Sequence, residues 1–99
     1  MTTWGLVIET TTGNGESKHT ETFVTAHVEG TRAEALAELD ALARRYAPEH
    51  PKRPKRPKRP KRRRLFRHGD GFLLVIDGAW QTFSTRFTIG ELLADGPGK

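Results

Sequence analysis

The sequence predicts an α+β fold, a mostly antiparallel sheet of about five strands in the order ββαβββ with one long helix on one face. Three observations carry this. Two strand-like stretches flank a glycine-rich turn ahead of residue 30, a capped stripe of leucines and alanines follows, and three short apolar or alternating stretches close the chain. At 99 residues the chain is one domain's worth, 1–99, interrupted by a basic Pro-Lys-Arg loop expected to be flexible at 49–64. Its apolar fraction of 34% is low, so the core is small or part of the chain lies outside it.

Residues 4–10 alternate, Trp4, Leu6 and Ile8 against Gly5, Val7 and Glu9, which predicts a strand. Gly13-Asn14-Gly15 is a turn signal, and residues 18–29 return as a longer strand, giving a hairpin. In that strand Thr22, Val24, Ala26 and Val28 are expected on one face, with His19, Glu21, Phe23, Thr25 and His27 on the other. Thr31-Arg32-Ala33-Glu34 is a capping box, in which the hydroxyl takes the N3 amide and Glu34 reaches back to the N-cap amide. Leu36, Leu39, Leu42, Ala43 and Tyr46 recur at helical spacing, Asp40 and Arg44 form an i,i+4 pair outside, and Pro48 stops the helix.

After the basic loop, Leu65–His68 reads as a short strand and His68-Gly69-Asp70-Gly71 as a turn. Phe72–Ile76 is apolar throughout, as a central strand buried on two faces would be. Asp77-Gly78 is a two-residue hairpin signal. In the last strand, 79–88, Trp80, Thr82, Ser84 and Arg86 face one way and Gln81, Phe83, Thr85 and Phe87 the other. Thr88 and Glu91 repeat the capping-box spacing before Leu92-Leu93, which admits a short C-terminal helix. One helix covers one sheet face. The other is expected to carry some of Phe23, Leu73, Val75, Phe83 and Phe87, and Phe23, Phe83 and Phe87 are the candidates for a homodimer or base-stacking face.

The charge is asymmetric. Between Lys52 and Arg64 stand ten cations and no acid; the other seven cations share the chain with all twelve acids, so the body carries −5 and the tract +10. Pro51-Lys52-Arg53 recurs perfectly at Pro54, Pro57 and Pro60, and Arg63 and Arg64 follow. A proline every third residue excludes helix and matches the three-residue turn of polyproline II, in which twelve residues would form a rod about 37 Å long. Lys52, Arg53, Lys55, Arg56, Lys58, Arg59, Lys61, Arg62, Arg63 and Arg64 are the candidate nucleic-acid-binding residues, Lys as point charge and Arg as bidentate donor to phosphate. The competing reading is a repeat expansion in a surface loop, where added length costs little entropy.

The other ionisable groups do not converge. His19 and His27 lie eight residues apart, about 26 Å along a strand, so they cannot share a metal with Glu21. His50 and His68 read as solvated loop residues, and Asp70 and Asp77 as turn residues. Gly13-Asn14-Gly15 lacks the helix and Lys of a phosphate loop. The absence of Cys excludes disulfides, thiolate chemistry and Cys-based zinc sites. The expectation is therefore a protein that is not an enzyme, with no metal, cofactor or small-molecule substrate. The longest apolar run, Phe72–Ile76, has five residues, so no membrane-spanning helix is expected. The N-terminal Met1-Thr2-Thr3-Trp4 has no signal-peptide pattern, which suggests a cytoplasmic protein.

Nucleic-acid modules running βαββαβ or αβββα do not match the element order. AT-hook arms place Gly between arginines, and residues 51–64 contain none. The PxxP spacing beside cations is that of SH3-domain ligands, as in any basic proline rod. Gly30-Thr31-Arg32-Ala33-Glu34-Ala35-Leu36, with the run from Gly71 to Gln81, resembles small actinobacterial α+β proteins over most of the chain outside the tract. That resemblance implies a bacterial cytoplasm and carries no activity or ligand with it. The function expected is non-specific binding of DNA or RNA phosphates through the internal basic arm. The alternative is a protein-interaction or structural module with a dimeric sheet face, in which the tract is only a spacer.

Overall fold

The computed structural model describes residues 1–12, 19–46, 62–77 and 82–98. Five strands, β1 (Thr2–Thr12), β2 (His19–Gly30), β3 (Arg62–His68), β4 (Gly71–Asp77) and β5 (Thr82–Glu91), form one antiparallel sheet in the order β2-β1-β5-β4-β3. A single described helix, α1 (Arg32–Arg45), connects β2 to the segment ahead of β3. The predicted α+β class, strand count and element order match this architecture. The C-terminal helix does not form: Thr88 and Glu91 lie within β5, and Leu92 donates its N–H to the Thr3 carbonyl at 2.8 Å. Backbone pairing with β1 thus overrides a capping spacing that has no apolar stripe behind it.

The start of α1 follows directly from its sequence. Thr31 is extended, its Oγ1 accepts from the Glu34 N–H at 3.1 Å, and its own N–H donates to Glu34 Oε1 at 2.9 Å. Glu34 is thereby held below the usual carboxylate range, through the Thr31 N–H first and its hydroxyl second. Gly30 before it has φ +148, and a Cβ there would sit 2.7 Å from the Glu34 carboxylate, so any other residue strains the backbone and displaces the capping carboxylate. Trp4 Nε1 donates to the Gly30 carbonyl at 3.1 Å, and Arg32 pairs with Asp70 at 2.8 Å, which ties the helix start to the β3–β4 turn. In that turn Gly69 has φ +58 and Asp70 does not, the arrangement of a type II′ hairpin.

The stripe of α1 packs on one sheet face. Leu39 and Ala43 are fully buried against Leu6, Ile8, Phe72, Leu74, Ile76 and Phe87, with Leu36, Leu42, Tyr46, Leu65, Phe83 and Ile89 around them. The register explains the membership: Ile8 lies opposite Phe87 and Phe87 opposite Phe72, so all three side chains share the helix face. Phe83 and Phe87 are therefore not on the open face expected of them. β5 supplies both rings to the helix because it is the middle strand of the sheet, beneath α1.

Two further departures arise from register. Leu6 pairs with Ala26 but Val7 pairs with Val24, so Thr25 is an extra residue in a β-bulge. The bulge puts Phe23 on the helix face with Ala26 and Val28, and separates His19 and Glu21 from His27. It thus overturns the strict alternation expected across this strand. The apolar run Phe72–Ile76 is interior but not central: Leu74 is buried under α1, while Leu73 and Val75 are half-buried on the face the helix leaves open.

Candidate nucleic-acid interface

Seven of the ten tract cations, Lys52, Arg53, Lys55, Arg56, Lys58, Arg59 and Lys61, lie outside the described residues, as does the expected polyproline rod. The last three begin β3, three residues earlier than the strand expected from Leu65. Alternation sends them to different tasks. Arg62 is exposed, opposite Asp77 in the ladder. Arg64, on the same face, donates from Nη2 to Asp77 Oδ2 at 3.1 Å, and Asp77 Oδ1 accepts from the Thr82 hydroxyl at 3.3 Å.

Arg63 points to the helix face. Its Nη1 donates to the Tyr46 carbonyl at 2.7 Å, and its Nη2 donates to the Ala43 carbonyl at 3.0 Å and the Arg44 carbonyl at 3.1 Å. One guanidinium thus satisfies three carbonyls at the negative end of α1. It also fixes the two points where the tract leaves and rejoins the described chain within one side chain's reach of each other. Of the three described tract arginines, two are engaged within the fold.

Among the proposed dimer or stacking residues, Phe87 is completely buried, Phe83 is half-buried against the core, and Phe23 is 38% exposed on the outer strand β2. The surface they were expected to form is therefore not assembled. The open face instead carries Phe66, 45% exposed, with Leu73, Val75, Val7 and the exposed Arg86. Leu73, Val75 and the outward side of Arg86 follow from alternation. Phe66 was hidden because nothing in a four-residue apolar-to-basic stretch says which of Leu65 and Phe66 turns inward. The edge strand β3 is basic along its length, with Arg62, Arg63, Arg64 and Arg67 in seven residues.

Among the described residues no group of three or more His, Asp or Glu could hold a metal ion. His19 and Glu21 make an exposed pair at 3.1 Å on β2. No helix among the described residues is long and apolar enough to cross a membrane. No protein-family profile, curated protein or solved structure matches the chain.

Proposed function

We propose that this protein binds nucleic acid without catalysis, in the cytoplasm, through phosphate contacts made by residues 52–62. The observation that carries this reading is the run of ten cations without an acid, in a chain whose other residues carry the opposite net charge. The basic β3 edge supports it, since the run continues onto the sheet through the exposed Arg62. Phosphate contacts carry no base information, so affinity is electrostatic and weakly dependent on sequence.

Salt dependence is the direct test. If about five cations engage, log K against log salt has a slope near −4.5 on duplex and about −3.5 on single strands. Replacing Lys52, Lys55, Lys58 and Lys61 by Gln lowers affinity and slope together. An unchanged slope in that variant removes the tract from the mechanism.

A second reading, a protein-interaction module with the tract as spacer, is favoured by one feature. β2 is a twelve-residue edge strand exposed along most of its length, with Val24 53% exposed. Such an edge can pair with a strand of another chain. A tract-deleted protein that keeps a partner and never bound nucleic acid would favour this reading.

A further inference from the structure

Side chains on the open face line up across the strands. Phe66 lies opposite Leu73, Leu73 opposite Arg86, and Arg86 opposite Glu9. The adjoining row holds Arg64, Val75 and Ser84. An exposed aromatic ring, two half-buried aliphatic side chains and two guanidinium groups therefore share a patch about 10 Å across three strands. α1 lies on the opposite face and leaves the patch open on its own side.

We propose that this patch is a stacking platform for the bases of a single-stranded nucleic acid, and that the protein prefers single strands to duplex. The inference rests on the reading of the tract as a phosphate contact and names the form of nucleic acid it takes. Charge selects this occupant. Arg62 and Arg86 are exposed on this face, and the ten-cation run leads directly into the strand that bears Phe66. A duplex keeps its bases stacked inside and offers the face only phosphates and groove edges. A single strand presents base faces to Phe66 and Leu73 while its phosphates meet the exposed Arg62 and Arg86, the pairing of ring and cation that single-strand grooves use.

The experiment uses the full chain and a dye-labelled mixed-sequence oligonucleotide, single-stranded and as its duplex, followed by fluorescence anisotropy. Wild type binds the single strand more tightly. Phe66→Ser weakens single-strand binding about tenfold, the loss of one base–aromatic stack, and leaves duplex binding unchanged. Phe66→Trp retains single-strand affinity, and its added indole emission is quenched by the single strand but not by the duplex. Phe66→Ser weakening both forms equally, or neither, overturns the platform, as does an indole that no strand quenches. The four-Gln tract variant separates the two readings. If it loses both forms while Phe66→Ser behaves as wild type, the phosphate reading stands and the platform falls. If it binds as wild type while Phe66→Ser loses the single strand, the phosphate reading falls. A wild-type dimer that Phe66→Ser dissociates puts a second copy on the patch and also overturns the proposal.

Discussion

Tyr46 stands edge-on to Phe87, ring centroids 5.2 Å apart and ring planes at 81°, at the end of α1. The last helical turn is thereby seated on the middle strand of the sheet. Phe87→Ala should cost about 3–5 kcal/mol, since it empties a fully enclosed site. Phe87→Glu should abolish cooperative unfolding rather than yield a folded monomer. Circular dichroism melts distinguish the two, and a folded, soluble Glu variant would place this residue at the surface.

Arg63→Ala should lower stability by about 1–2 kcal/mol, because three carbonyls at the helix end lose their donor together. Lys at this position recovers only part, since one ammonium nitrogen lacks the spread by which Nη1 and Nη2 reach carbonyls of different residues. Arg62→Ala, one residue away on the opposite face, should leave the urea midpoint unchanged. Equal effects at the two positions would show that general charge matters here and not the cap.

Removing residues 52–60 should leave stability within about 1 kcal/mol, with a gain of about 0.6 kcal/mol expected for halving a loop. The segment has no apolar side chain to bury. A deletion protein that melts over a broad, non-cooperative range would show that the tract supports the fold.

Thr31→Ala should cost about 1 kcal/mol at neutral pH through the lost N-cap. Glu34 adds a pH dependence of defined sign. Its carboxyl is held below the usual value of 4.5, so its contribution is complete above that pH and is lost as the pH falls through the lowered value. Wild type should therefore melt above Glu34→Gln at neutral pH, with the gap closing as the pH falls below 4.5 and through the lowered value. A gap that persists unchanged into acid would disconnect the ionised carboxylate from helix stability.

Features set by neighbours in sequence were legible in advance. Thr31 and Glu34 lie three residues apart, and Leu39 and Ala43 four, so cap and buried stripe could both be read directly. Features set by distant register were not. Alternation places Phe83, Thr85 and Phe87 together on one side of β5, but only the pairing of Phe87 with Ile8 says that this side meets α1. The bulge at Thr25 leaves a faint trace, the adjacent apolar pair Phe23-Val24, which interrupts alternation without locating the extra residue. Arg63 looked like one more solvated cation because its acceptors lie 17 to 20 residues away in sequence. The open-face patch depended on the same information, since Phe66 and Arg86 become neighbours only through β4.

The hold of Arg63 on Tyr46 separates what is inherited as architecture from what is inherited as dosage. Both contact residues lie outside the Pro-Lys-Arg triplets, so a gain or loss of one triplet leaves the cap, the sheet register and the core composed of the same residues. Each triplet changes the charge by two. A repetitive coding segment is prone to slippage, and here slippage would vary valence in fixed steps while the scaffold stays constant. Lineages could thus drift in repeat number, and with it in grip strength, without a compensating substitution elsewhere in the chain.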